Sequence, residues 1–105
     1  MNEAIRNRIK AIAERLKKEY NAERVILFGS YVRGEETTDS DIDLLIIAPA
    51  KERFFQRMAK VKALIRDLRN GLPIAPIVLT QKELEKRVRI KDQFIEEILE
   101  KGTSL

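Results

Sequence analysis

The sequence predicts a small mixed α/β (α+β) fold, with a sheet of three strands or slightly more. Three short apolar runs, at 25–28, 44–47 and 74–79, have the length of buried strands. Longer segments with helical spacing of apolar residues precede the first run and follow the second and third. The 105 residues suffice for one modest hydrophobic core, so we expect a single domain over 1–105.

The first predicted element is an amphipathic helix over about 2–20. Its apolar residues recur at steps of three and four, which places them on one helical face: Ile5, Ile9, Ile12, Ala13, Leu16 and Tyr20. The opposite face is basic, and we interpret it as solvated: Arg6, Arg8, Lys10, Arg15, Lys17 and Lys18.

The first two strands are predicted at about 24–29 and 41–47, joined by a short loop. Because the loop is short, the two strands can be neighbours, and we expect them to be antiparallel. The loop begins with Gly29 and Ser30, and residues 30–33 are predicted to form a short helical turn. Glycine lets backbone approach a ligand closely, and a serine hydroxyl with nearby N–H groups can hold phosphate oxygens.

Two aspartates, Asp41 and Asp43, stand at the start of the second strand. Residues two apart on a strand project from the same face, so their carboxylates would lie side by side. At ~4 Å and an effective dielectric of ~20, their repulsion is about 4 kcal/mol. Protonation of one, or a shared cation such as Mg²⁺, relieves it. Asp41 could instead serve turn chemistry alone, but Asp43 lies within an apolar strand, where charge is costly; this favours a site.

The combination of Gly29-Ser30 with Asp41-x-Asp43 resembles the signature of the nucleotidyltransferase superfamily with a polymerase-β-type palm. The fuller pattern at 29–34 and 40–44 also fits, and the length resembles the minimal single-domain branch. The resemblance covers most of the chain. It implies a small mixed, palm-like sheet with helices packed on one face.

The resemblance also implies an activity, the transfer of a nucleoside monophosphate from a nucleoside triphosphate, expected to be ATP, to a hydroxyl of a protein or nucleic-acid partner. Gly29 and Ser30 would hold triphosphate oxygens, and Arg33 would add positive charge. Asp41 and Asp43 would be the catalytic residues that bind one or two Mg²⁺ ions. Members of this branch often act as antitoxins paired with a helical HEPN-type protein. A homo-oligomer is also compatible with the sequence.

A second long helix is predicted over about 51–70 and stopped by Asn70-Gly71. Its apolar stripe is interpreted as core: Phe54, Met58, Val61, Ile65 and Leu68. Its basic face is interpreted as solvated, with a surface for nucleic acid or an acidic partner as the alternative: Lys51, Arg53, Arg57, Lys60, Lys62, Arg66 and Arg69. No aromatic residue interleaves with its exposed positions, so base stacking lacks a platform and nucleic acid is the least favoured partner.

The third strand is predicted at 74–79, at a sheet edge because Pro76 cannot donate to a ladder. Active members of the superfamily that the sequence resembles usually supply a third carboxylate from this strand. Aligning the segment on that strand puts Ala75 where the aspartate would be. Glu35, Glu36 and Asp67 are the available substitutes. Two hypotheses therefore stay open, an active enzyme and a catalytically weak or inactive nucleotide-binding, antitoxin-like module.

The remaining residues predict two helices. Thr80 and Glu83 form a capping-box pattern that begins a short helix. A last helix is predicted over about 90–101 and ended by Gly102, after which residues 103–105 are expected to be loose.

Composition excludes several classes of site. The chain has neither cysteine nor histidine, which rules out disulfides, Cys/His zinc sites and histidine-based catalysis, so any metal is held by carboxylates. The net charge of +4 is compatible with nucleotide or nucleic-acid partners without requiring them. No apolar run approaches a membrane span, and the N-terminal residues lack a signal-peptide pattern, so we expect a cytoplasmic protein.

Overall fold

The structure, a computed structural model, describes residues 1–105 and contains one four-stranded mixed sheet. Its strands are β1 (Arg24–Phe28), β2 (Ile42–Ile47), β3 (Ile74–Leu79) and β4 (Thr103–Ser104). They lie in the order β3-β2-β1-β4. β1 is antiparallel to both β2 and β4, and β2 is parallel to β3. The mixed sheet, the antiparallel first pair and the edge position of the strand that contains Pro76 are confirmed.

Six helices accompany the sheet: α1 (Glu3–Glu19), α2 (Ser30–Arg33), α3 (Phe54–Leu64), α4 (Arg66–Arg69), α5 (Gln81–Arg89) and α6 (Gln93–Lys101). None of them combines the length and the apolar content needed to cross a bilayer. The first helix, the capping box at the start of α5 and the end of α6 at Gly102 agree with the sequence analysis.

Helices cover both faces of the sheet, which corrects the expectation of helices on one face. Val25 and Leu27 of β1 share a core with α1 and α3, whereas Ile26 shares a second core with α5 and α6. The physical reason lies in β2, which is buried at every position except Asp43. A continuous apolar run is typical of a strand that must be covered on both sides.

The long helix predicted over 51–70 is interrupted at Ile65, whose backbone leaves helical geometry with φ −109° and ψ 11°. Two arginines of α1 donate hydrogen bonds to backbone carbonyl groups at this break and at the end of α4. Arg15 donates to the Leu64 carbonyl at 3.1 Å, and Arg8 donates to the Asn70 carbonyl at 3.0 Å. Arg8 and Arg15 are therefore half-buried structural residues, and the interpretation of the whole basic face of α1 as solvated was wrong for these two.

The first residues of α3 also differ from the prediction. Phe54, expected in the core, is 40% exposed, and its neighbour Phe55 is 80% exposed. Their rings pack edge to face with centroids 5.6 Å apart. Val61 and Ile65 are buried as predicted. Aromatic side chains do interleave with the exposed positions of this helix, contrary to our expectation.

The last helix begins at Gln93 rather than near residue 90. Lys91 adopts a left-handed backbone with φ 57°, which separates α5 from α6. Asp92 then caps α6, because its Oδ1 accepts from the N–H groups of Phe94 and Ile95 at 3.0 and 3.2 Å.

The segment after α6 is ordered as a strand, which corrects the expectation that residues 103–105 are loose. Thr103 of β4 pairs with Leu27 of β1, and the Leu105 N–H donates to the Val25 carbonyl at 2.9 Å. Gly102 makes this possible through its lack of a side chain, because a Cβ atom there would lie 2.5 Å from Cγ2 of Ile26. The end of α6 therefore lies directly against β1.

Arg57 is a buried structural residue, not part of a solvated basic face, since only 8% of it is exposed. Its Nη1 donates to Glu83 Oε1 at 2.6 Å and to the Val78 carbonyl at 3.2 Å, and its Nε donates to the Glu52 carbonyl at 2.8 Å. Glu83 also accepts from the Thr80 N–H in the capping box of α5. This cluster joins α3, β3 and α5.

The Glu83→Gln variant should lower the free energy of unfolding by about 1–2 kcal/mol at neutral pH, because Arg57 loses its charged acceptor. The hydrogen bond from Arg57 is the main cause that holds the pKa of Glu83 below its ordinary value of 4.5. Such a carboxyl stabilises the fold above its unfolded pKa, and this contribution is lost as the pH falls through the lower folded pKa. The difference between wild type and variant should thus be constant above about pH 5 and shrink below it.

Urea denaturation at a series of pH values measures this difference. Glu85→Gln, an exposed change on the same helix, is the matched control and should stay within about 0.5 kcal/mol of wild type. Equal stability of Glu83→Gln and wild type at pH 7 would show that the Arg57–Glu83 pair contributes nothing to the free energy of unfolding.

Candidate functional site

Strand β1 leads into a sharp turn at Gly29. Gly29 has φ 81° and ψ −151°, a conformation that is open essentially to glycine alone. The N–H groups of Val32 and Arg33 donate to the Gly29 carbonyl at 3.1 and 3.2 Å, and α2 begins at Ser30. The helical turn predicted over 30–33 is confirmed. This turn fixes Ser30 and Arg33 at the end of the strand.

The backbone of the turn lies directly on the carboxylate of Asp43. Asp43 is the β2 residue that pairs with Phe28, immediately before the turn. A Cβ atom placed on Gly29 would overlap Oδ2 of Asp43 and would lie 3.2 Å from its Cγ. Position 29 therefore requires glycine both for its positive φ and for space. A ligand bound by the turn would be close to Asp43.

A cavity of about 320 Å³ opens beside the turn. Of the five site residues predicted from the sequence, four line it and one does not. Gly29, Ser30, Arg33 and Asp43 are in the lining, and Asp41 lies outside it. The opposite side of the cavity is formed by α6 and the glycine that follows it: Phe94, Glu97, Ile98, Lys101 and Gly102.

Asp43 and Asp41 lie near enough for their charges to interact. Asp43 is half-buried and Asp41 is exposed. Burial is the main cause that raises the pKa of Asp43, the negative charge of Asp41 raises it further, and the Arg33 guanidinium opposes both. A cation would favour the ionised form of both carboxylates, whose oxygens are the donors that Mg²⁺ prefers. Both residues therefore offer the type of oxygen donor that a divalent ion requires.

Arg33 is exposed and is held only weakly in its present position. Its Nε is 3.2 Å from Oε2 of Glu35, with roughly half or more of each side chain in solvent. Exposed pairs of this kind contribute little stability. Arg33 can consequently turn toward an anionic ligand in the cavity at small cost.

The comparison with known protein families settles what kind of chain this is. The model of the family described as "Nucleotidyltransferase domain" matches residues 9–103. The chain belongs to the nucleotidyltransferase domain family. The membership inferred from the residues at 29–34 and 40–44 is thereby confirmed.

Relatives and a solved structure agree with this membership. A protein of Methanocaldococcus jannaschii named "Putative protein adenylyltransferase" is 34% identical over 99 residues, which are 92% of this chain and 93% of that protein. A second protein of the same name and organism is 32% identical over 84 residues, 79% of this chain and 78% of its own. The crystal structure of a "putative nucleotidyltransferase" from Sulfolobus solfataricus superposes with a TM-score of 0.52, at 28% identity, over 82% of this chain and 81% of that one.

In this chain, β3 brings Ala75 next to Asp43, since the parallel register pairs these two residues. Paired residues of neighbouring strands face the same side, with backbones ~4.8 Å apart. No three carboxylates are grouped so as to hold a metal ion. Each of the possible substitutes is paired with a cation: Glu35 with Arg33, Glu36 with the N-terminal amine and Asp67 with Arg15.

The cavity residues contributed by α6 were missed by the sequence analysis, which predicted the helix but assigned none of its residues to the site. The spacing of Phe94, Glu97, Ile98 and Lys101 does place all four on one helical face. The sequence does not show where this helical face lies in the fold, because its position depends on α6 packing against the second side of the sheet.

Proposed function

We propose that this chain binds Mg²⁺–ATP in the cavity beside the Gly29 turn and transfers the adenylyl group to a hydroxyl of a protein partner. The observation that carries the proposal is the contact between the Gly29 backbone and the Asp43 carboxylate. It brings together a turn suited to phosphate oxygens and a carboxylate suited to a metal ion. The name of the relatives, protein adenylyltransferase, favours ATP as the donor and a protein as the acceptor.

Each site residue then has a distinct role. The Ser30 hydroxyl and the backbone of the turn hold triphosphate oxygens, and Arg33 turns inward to add positive charge. Asp43 and Asp41 hold Mg²⁺, which when bound offsets the negative charge that develops on the transferred phosphate group. Gly29 keeps the phosphate-binding backbone against Asp43.

We propose a second candidate because Ala75 takes the place beside Asp43. Two carboxylates can hold one ion, whereas a two-metal displacement usually employs a further ligand. On this candidate the chain binds nucleotide with little or no turnover and acts as an antitoxin-like module toward a helical, HEPN-type partner. Incubation with labelled ATP, Mg²⁺ and a co-expressed partner separates the candidates, since only the first one predicts transfer of label to the partner.

Calorimetric titration with ATP should give measurable binding in the presence of Mg²⁺ and much weaker binding in its absence. Asp43→Asn should remove the Mg²⁺-dependent part, because it removes the charge that holds the ion. The fold should be as stable as wild type or more stable, since burial disfavours the ionised carboxyl of Asp43. Thermal denaturation measures this.

Asp39→Asn is the matched control, since Asp39 is an exposed aspartate of the same loop, and it should bind as wild type does. Equal affinity with and without Mg²⁺, or no binding at millimolar ATP, would overturn the proposed site. A marked fall in melting temperature for Asp43→Asn would point to a structural role for this residue instead.

A further inference from the structure

Helix α6 places a half-exposed phenylalanine at the cavity. Phe94 is 50% exposed, although its neighbour Ile95 on the same helix is only 1% exposed. Burying an aromatic ring is strongly favourable, so a ring held half exposed beside a cavity offers unused apolar surface. Phe94 is one of the lining residues of the cavity that also contains Ser30 and Asp43.

The ring of Phe94 is held in place by its contact with Phe28. Their centroids are 5.7 Å apart and the ring planes are at 83°, an edge-to-face arrangement. Phe28 is the residue immediately before Gly29 and pairs with Asp43 across the sheet. The aromatic surface therefore stands next to the phosphate-binding turn, and its position is coupled to that of the turn.

The two sides of the cavity offer different groups to a ligand. The turn and β2 contribute Ser30, Arg33 and Asp43, whereas α6 contributes the exposed ring of Phe94 together with two charged side chains, Glu97 and Lys101. A ligand that suits both sides has anionic phosphate groups at one end and a flat aromatic group at the other. A nucleoside triphosphate has this composition.

We propose that the nucleobase of the bound nucleoside triphosphate stacks on the ring of Phe94. This inference rests on the proposed function and adds to it the residue that receives the base. Stacking on an aromatic side chain tolerates any base, because every base has a π-face. Phe94 therefore supplies affinity for nucleotides over phosphate compounds without a base.

The test compares two probes, Mg²⁺–ATP and Mg²⁺ with inorganic triphosphate, on wild type and on Phe94→Leu. Leucine keeps an apolar side chain against Phe28 but removes the aromatic face. Wild type should bind ATP more tightly than inorganic triphosphate. Phe94→Leu should bind ATP about 5- to 150-fold more weakly and inorganic triphosphate as wild type does. Phe94→Tyr, which restores a ring, should bind ATP as wild type does.

Phe55→Leu is the matched control, because Phe55 is an exposed phenylalanine that does not line the cavity, and its affinity for ATP should be unchanged. Unchanged ATP affinity in Phe94→Leu would overturn the proposal. An equal loss for both probes would also overturn it, because Phe94 would then only support the fold of the site. Binding of neither probe to wild type would overturn the proposed function itself, and the stacking proposal with it.

Discussion

Replacing Gly29 with alanine should lower the affinity for Mg²⁺–ATP by roughly 10- to 150-fold, because a displaced hydrogen bond to a charged phosphate is worth about 1.5–3 kcal/mol. The Cβ atom of alanine would overlap Oδ2 of Asp43, so either the turn or the carboxylate must move. The backbone conformation at Gly29 is in addition nearly inaccessible to alanine, at a cost on the order of 1–3 kcal/mol. The variant should therefore lose both ATP affinity and stability, measured by calorimetry and by urea denaturation.

Gly34→Ala is the matched control for this prediction. Gly34 also has a positive φ of 73°, but a Cβ atom there would meet nothing within 4 Å. The control should lose only about 1–2 kcal/mol of stability and keep its affinity for ATP. If both variants bound ATP as wild type does, the contact between Gly29 and Asp43 would have no part in binding.

Ala75→Asp should raise the rate of nucleotidyl transfer above that of wild type, or at least create a second Mg²⁺ site. The register places residue 75 beside Asp43 on the same side of the sheet. A third carboxylate there would complete, with Asp41, a cluster able to hold two ions ~3.5–4 Å apart. Transfer of labelled AMP to a co-expressed partner measures turnover, and calorimetry with Mg²⁺ counts the ions.

The stability of the Ala75→Asp variant should depend on Mg²⁺. Without metal, the new charge repels Asp43 at close range, which costs on the order of 3 kcal/mol at an effective dielectric of ~20. Mg²⁺ should restore the melting temperature, since it binds only the folded site. Ala59→Asp, which adds the same charge on the exposed side of α3, should show no such dependence on Mg²⁺. Wild-type turnover that the Ala75→Asp variant does not exceed would mean that another residue already fills the role.

The residues around the turn and the first two strands were predictable because their signals are local. Glycine at a strand end, a polar loop of fixed length and aspartates two apart each constrain the few residues beside them. Strand and turn positions followed to within one or two residues, and four of the five candidate residues lie at one cavity.

The features that were not predicted depend on contacts between distant parts of the chain. Arg57 looks like any exposed arginine of a basic helix until β3 and Glu83 are placed against it. Phe94 looks like core until α6 is placed over the second side of the sheet. The continuous apolar run of β2 was the one available sign that this side would be covered.

The pairing of β4 with β1 implies an order of events in folding. Leu27 pairs with Thr103, which lies far from it in the sequence. Contacts between residues so distant in sequence form late, because a long loop must first be closed. Contacts among α1, β1 and β2 are local and can form early during synthesis. The aromatic side of the cavity is completed only when residues 93–104 have left the ribosome and reached β1. If the cavity binds ATP as proposed, the binding site is complete only after β4 has paired with β1, so ATP would stabilise the folded chain and not its partly folded precursors.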